Sequence, residues 1–333
     1  MPEPSIVALA VVILLALGFG LVNGFSDAAN AIATVVGTRA LTPQKAVIIA
    51  VVFNLLGAFT GSAVALTIGK GILAPEAISF QTVIAALAAV ILWTATATFH
   101  GLPVSLTHGF VAALAAAGLA ASGASSVNWG IIGTVASAVG IAPLLGFAGG
   151  FAVMTALFWI LRRKTPSAIQ THFSKIQVVS AAFMAYSHGK NDGQMPIGII
   201  TMAMVFYTGS EALWDSIPLW IILISALSIS LGTAFGGWKV VKTLGMRVTT
   251  LRPVHGFAAE LSAASVIEIA SFLGVPVSTT HCISSSIMGV GATRRLSAVR
   301  WGLAGNIIAA WVITFPVCGG LGHLFSWLLG YVF

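Results

Sequence analysis

Apolar residues in this chain run in long stretches rather than in alternation. Residues 5–22, 46–69, 80–99, 131–161, 218–236 and 301–333 are rich in Ala, Leu, Ile and Val, with Gly spread through them. Each run approaches or exceeds the roughly 20 residues that carry a helix across a hydrocarbon core. Strands of a membrane barrel would alternate apolar and polar positions, so the runs predict helices. Two further segments, 5–38 and 176–207, are longer than one straight crossing and have Gly and polar residues at their middles. The first carries Asn23-Gly24-Phe25-Ser26-Asp27, the second His188-Gly189-Lys190-Asn191-Asp192-Gly193. Each predicts a helix broken at mid-membrane, since freed backbone groups persist there only where protein or a cavity satisfies them. The pattern predicts an all-α, polytopic membrane protein with about ten to twelve segments.

The pattern also repeats. GLPVSLTH at 101–108 returns as GVPVSTTH at 274–281, an offset of 173 residues. NGFSDAANAIA at 23–33 pairs more weakly with HGKNDGQMPIG at 188–198, an offset of 165. The two halves are read as 1–161 and 176–333, joined by a linker at 162–175.

Charge orients the halves. The loop after the first Asp motif carries Arg39 and Lys45, while its counterpart carries Glu211 and Asp215. The next pair is Lys70 with Glu76 against Lys239, Lys242, Arg247 and Arg252; the last is an uncharged loop against Arg294, Arg295 and Arg300. By the positive-inside rule the halves run in opposite directions. The basic linker is then cytoplasmic and the N-terminus, with only Glu3, is outside. Composition agrees: 58% of residues are hydrophobic, with a mean hydropathy of +1.03, so lipid is the solvent for much of the chain. The net charge of +7 would suit nucleic acid, but its placement beside spans assigns it to topology, and no nucleic-acid partner is expected. Cys282 and Cys318 give neither a disulfide framework nor a metal spacing. The start, MPEPSIVALA, lacks the basic region of a cleaved signal, so 5–22 is expected to be a retained span.

Inverted repeats with discontinuous helices suit a secondary transporter whose site lies near the midplane. Asp27 and Asp192, at equivalent points, are expensive in a membrane and are read as functional, alongside the plainer reading of helix caps. Pro103 and Pro276 suit the first turn of a helix. That places Ser105, Thr107, Ser278, Thr279 and Thr280 near helix N-termini, where free N–H groups favour an anion. His108 and His281 divide between helix–helix bonding and a substrate or proton role. Glu260 is a candidate cation ligand or proton carrier, and Asn54 is read as its first-half counterpart. Lys190 either pairs with Asp192, attracts the anion or snorkels to the interface; Glu268 is read as solvated.

With these residues in place, the chain resembles the inorganic phosphate transporter family known as PiT, whose G-x-N-D-x-x-N-A motif opens each half. Here the copies are GFSDAANA (24–31) and GKNDGQMP (189–196). The resemblance runs from about residue 20 to 316 and implies phosphate symport with a cation, an inverted-repeat fold and a homodimer. Ser26 replaces the motif asparagine, and the NDGQ version is similar to a bacterial low-affinity branch. Asn54 stands where sodium-coupled members often have Glu, which shifts the expectation toward protons. No long hydrophilic loop separates the halves, as in bacterial or archaeal members.

The expected function is import of inorganic phosphate, free or as a metal–phosphate complex, with H⁺ or Na⁺, by alternating access in the cell membrane. Phosphate would be held by Ser105, Thr107, His108, Ser278, Thr279, Thr280, Asn191 and Gln194. The cation would be handled by Asp27, Asn30, Asp192, Asn54 and Glu260. No cofactor, resident metal or catalytic residue is expected. Alternatives are a sulfate or other tetrahedral-oxyanion permease, a passive anion channel, or, more remotely, an intramembrane hydrolase or metal site built on His108, His281, Asp27 and Asp192.

Overall fold

A computed structural model describes residues 5–331, so Glu3 lies outside the described residues. The described chain is helical, with one isolated bridge between Leu73 and Val127. The first half comprises α1 (Ile6–Gly37), α2 (Pro43–Ala58), α3 (Ala63–Leu66, continued by a wider turn to Gly71), α4 (Phe80–Phe99), α5 (Leu106–Ser122) and α6 (Trp129–Leu161). The second comprises α7 (Pro166–Asp192), α8 (Gln194–Thr208), α9 (Leu219–Phe235), α10 (Trp238–Lys242, continued to Arg247), α11 (Pro253–Phe272), α12 (Thr279–Ala292) and α13 (Trp301–Leu329). The order matches element by element, with α7 and α8 together standing for α1.

The breaks are not where the polar motifs predicted them. α1 runs without interruption through Asn23–Asp27. In the second copy only Gly193 separates α7 from α8, and its φ of −64° and ψ of −25° keep it right-handed. The sharp bends lie elsewhere: 68° between α2 and α3, and 61° between α9 and α10. Among the described residues four helices, α1, α4, α6 and α13, are long and apolar enough to span, or six spans if each bent pair counts as one. Most of the supposed linker is helix as well. α7 begins at Pro166, behind an N-cap at Thr165, so the halves are joined by Arg162–Thr165 alone.

The halves interlock. α6 lies along α11 and α12, and α13 lies along α4 and α5. Likewise α1 packs on α9 and α7 on α2. Small residues allow this. A Cβ at Gly24 would strike the Ile229 carbonyl of α9, and one at Gly189 would strike the Asn54 carbonyl of α2. In lipid, where apolar surface gains little from helix contact, such close approach is a main source of association.

α4–α5 and α11–α12 are hairpins whose tips dock on the bent pairs of the opposite half. Thr243 Oγ1 donates to the Gly101 carbonyl at 3.1 Å, and Thr67 Oγ1 donates to the Gly274 carbonyl at 2.7 Å. Gly101 and Gly274 turn the tips at φ +73° and +70°, a region that glycine enters freely. Two large apolar cores result, beside a small cluster of Ala97, Val104 and Ala310. One takes the N-terminal part of α1, up to Phe19, with α4, α5 and α8; the other takes α1 from Ala29 onward, with α6, α11 and α12. The polar middle of α1 falls at their joint.

Candidate functional site

Asn23, Asp27, Asn30, Thr34 and Thr38 recur every three or four residues along α1, and all five are buried. That spacing lines one face of a helix. Facing it are the end of α7, with His188, Asn191 and Asp192, and the start of α12, with Thr279 and Thr280.

The acids from the two halves meet here. Asp27, His188 and Asp192 each offer one ligand atom, all within 4.8 Å of one another. Thr280 Oγ1 donates to Asp27 Oδ1 at 3.3 Å, and Thr279 Oγ1 to Asp192 Oδ2 at 3.4 Å. Asn23 Nδ2 donates to Asp192 Oδ2 at 3.2 Å. Asn30 Nδ2 donates to the Oγ1 atoms of Thr279 and Thr280, at 3.1 and 2.9 Å. The amide oxygens of Asn23 and Asn30 are buried with no partner among the described residues. Two carboxylates and two free amide oxygens make a centre rich in acceptors and poor in donors. A hard cation or a proton meets that need, because a buried acceptor left empty costs about 1–3 kcal/mol.

His188 is wired on its far side. Thr233 Oγ1 donates to the Ile229 carbonyl at 2.9 Å, so it accepts from Asn54 Nδ2, also at 2.9 Å. Asn54 Oδ1 therefore faces His188 Nδ1 at 2.9 Å, and that nitrogen carries the proton. His188 Nε2 is left 3.3 Å from Asp192 Oδ2, within ion-pair reach but off the line of a hydrogen bond. The histidine beside the acids is thus His188; His108 and His281, read from sequence as helix–helix bonders or as substrate or proton residues, lie elsewhere. Those two meet edge to face, with ring centroids 4.9 Å apart, while His281 stacks on Trp311 and His108 on Phe315. None of their ring nitrogens has a partner among the described residues.

The hairpin tips begin helices as expected, although Pro103 and Pro276 precede the caps rather than entering the first turns. Ser105 caps α5 by accepting from His108 N at 3.2 Å, and Ser278 caps α12 by accepting from His281 N at 3.1 Å. Both hydroxyls keep a proton to donate. Thr107 reaches only Met195 Sδ, at 3.4 Å.

Two residues expected at phosphate are fully engaged in positioning. Gln194 Oε1 accepts from Val64 N and Ala65 N, while its Nε2 donates to the carbonyls of Lys190 and Thr60. It caps α3. Asn191 Nδ2 donates to Asp192 Oδ1 and to the Val277 carbonyl, while its Oδ1 accepts from Ser271 Oγ and Val277 N. It ties the α11–α12 tip to the acid.

Glu260 forms a second, fully buried cluster two turns further along α1. Thr34 Oγ1 and Gln177 Nε2 donate to its Oε1, and Ser180 Oγ donates to its Oε2. Thr38 Oγ1 donates to Gln177 Oε1 at 2.7 Å. Asn54 is not its counterpart. α11 corresponds to α4, and the 173-residue offset places Leu87 opposite Glu260. Asn54 lies on α2, which corresponds to α9. Asn23, Thr34, Gln177, Ser180 and His188 were missed as site residues, although polar positions every three to four residues in an apolar helix were visible. Lys190 pairs with Glu268 at 2.7 Å rather than with Asp192.

The chain matches the Phosphate transporter family over residues 23–172 and again over 161–322. It is 43% identical, over 94% of its length and 93% of the relative's, to a "Probable low-affinity inorganic phosphate transporter" of Rhizobium meliloti. A protein of the same description from Bacillus subtilis is 40% identical over 97% of both chains. Among solved structures, one described as "The sodium-dependent phosphate transporter" superposes with a TM-score of 0.85 at 28% identity, covering 98% of this chain and 100% of that one.

Proposed function

The chain belongs to the phosphate transporter family, and from that premise we propose that it imports inorganic phosphate together with a cation, H⁺ or Na⁺, by alternating access. The relatives' names describe transporters and permeases, not enzymes. The observation that carries the proposal is the meeting of Asp27 and Asp192, one from each half, under the first turn of α12.

Two carboxylates beside one imidazole repel an incoming anion. A cation seated among Asp27, Asp192 and the amide oxygens of Asn23 and Asn30 removes that repulsion. Phosphate then meets what the acids leave free, the hydroxyls of Ser105, Thr107 and Ser278 and the unpaired N–H groups of two helix starts, and gains the Thr279 and Thr280 hydroxyls once the cation, rather than those threonines, neutralises the carboxylates. Charge-assisted bonds of this kind are the stronger ones, and a helix N-terminus adds its dipole. Coupling follows, because neither ligand is comfortable alone. His188 supports the same logic. With Nδ1 committed to Asn54, its Nε2 serves either a proton shared with Asp192 or a cation beside it. Glu260, held by Thr34, Gln177 and Ser180, is a second station for a cation or proton.

Alternating access is supported by the paired hairpins, each docked on the bent pair of the other half. The plasma membrane is the proposed location, with the N-terminus outside and the basic loops in the cytoplasm. The structure-wide charge pattern agrees with that orientation. Lys70 and Lys190 pair with Glu211 and Glu268. The other basic residues, within 39–45, 162–175, 239–252 and 294–300, have no acid within 4.0 Å among the described residues.

The test is uptake of labelled phosphate into proteoliposomes with pH and sodium gradients imposed separately. The coupling ion is the one whose gradient drives accumulation. If neither gradient does so, a passive channel replaces the symport reading. Strong competition by unlabelled sulfate would overturn phosphate selectivity.

A further inference from the structure

Far from the acid pair, at the basic end of the molecule, a cavity of about 350 Å³ opens between the end of α6, the start of α7, the start of α11 and the end of α12. That volume lies in the range of small-molecule sites, about 300–1,000 Å³. Arg162, Lys164, Arg252 and Arg294 stand around it, and its inner wall is Met154, Leu157 and Phe158. No acidic residue lines it, and none of the four cations has a carboxylate within 4.0 Å among the described residues. Four unneutralised cations from three separate stretches of chain converge on one opening.

We propose that this cavity holds an anionic phospholipid of the cytoplasmic leaflet. Its phosphodiester sits among Arg162, Lys164, Arg252 and Arg294, and one acyl chain lies along Leu157 and Phe158. Charge selects the headgroup. The apolar wall selects lipid over a free ion. α6 presents Leu144, Leu145, Phe151, Phe158, Trp159 and Ile160 outward, so the wall is continuous with the surface that meets the bilayer. Arg162 also stacks over Trp159, 5.5 Å from the ring centroid, which fixes the headgroup side at the depth where aromatic belts sit. Basic pockets between membrane helices at this level are general recognition sites for anionic headgroups.

Position gives the site a consequence. Arg162 and Lys164 belong to the short joint between the halves, Arg252 is the N-cap of α11, and Arg294 follows α12. A single headgroup would therefore tie the joint to the hairpin whose tip reaches Asp27 and Asp192. The lipid becomes a strut that sets how freely that hairpin moves.

The experiment reads binding directly, so its outcome is independent of phosphate transport. Purified full-length protein is taken through mixed phosphatidylcholine–phosphatidylglycerol nanodiscs and examined by native mass spectrometry. The expected result is retained phosphatidylglycerol and no retained phosphatidylcholine. The triple variant Arg162→Ala, Lys164→Ala, Arg294→Ala should weaken retention on the order of a hundredfold, equivalent to about 1 kcal/mol for each cation removed. Gln170→Glu, which adds one negative charge to the exposed rim, should weaken it roughly fivefold with no loss of cations or packing. Equal retention of both lipids, or unchanged retention by both variants, overturns the proposal. So does displacement of the lipid by inorganic phosphate, which would make the cavity a site for the free anion.

Discussion

The tips of the two hairpins share a cap and differ in what lies beyond it. Ser105 and Ser278 accept from the backbone three residues on at 3.2 and 3.1 Å. Past that point, Thr279 and Thr280 reach both acids and Asn30, whereas Thr107 finds a methionine sulfur. Duplication supplied two equal scaffolds, and only the second is closed on the carboxylates. In an inverted-repeat carrier the halves take turns. Under the alternating-access proposal, an inequality between matched positions is what one stage of the cycle would leave.

The largest expected effect removes what the second tip closes upon. Asp192→Asn and Asp27→Asn should each abolish uptake, a loss of at least about a hundredfold, with normal membrane insertion by surface labelling; full activity would undo the central assignment. Next comes the acid that the first half lacks altogether. Glu260→Gln removes charge from three hydrogen bonds, each worth about 1.5–3 kcal/mol, so uptake should fall at least roughly tenfold and the melting temperature should drop. The direct test of the comparison is milder. Thr280→Val should reduce the apparent affinity for the coupling cation about tenfold, while Thr107→Val should leave it within about twofold. Equal losses would show that the tips are equivalent in the working protein. Smallest of all is the double variant Lys190→Met, Glu268→Gln. That pair is partly solvated, at 18% and 21% exposure, and such pairs contribute about 1 kcal/mol or less, so uptake should change by no more than about twofold.

Much of the architecture was legible because lipid punishes ambiguity. Long apolar runs and a repeated PVS-x-T-H pointed to helices and to duplication. The meeting of Asp27 with Asp192 followed from their matched places. The supposed break in α1 did not follow. Gly24 reads equally as a flexible joint and as a contact point, and only the α9 backbone against it decides. The regular spacing of Asn23, Asp27, Asn30, Thr34 and Thr38 across that point was the available sign of an unbroken helix. The positioning bonds of Gln194 and Asn191 were not legible for a different cause. An amide beside an acid looks like a ligand until its four bonding positions are traced, and those partners lie on α3, α7, α11, the turn between α2 and α3, and the α11–α12 tip. Asn54 was matched to Glu260 by counting from the Asp motifs, which cannot register that α2 and α11 occupy different ranks in their halves.

The crossed embrace of α6 and α13 also has a biosynthetic side. α6 is complete at Leu161, yet the surfaces it lies against begin at Pro253. During translation it must wait in the bilayer with its small-residue stripe, Ala138, Ala142, Gly146 and Gly150, facing nothing permanent. A ribosome halted between the halves would leave a helix that any promiscuous neighbour or membrane protease could claim. Quality control would therefore see an incomplete chain as foreign until its final helices arrive.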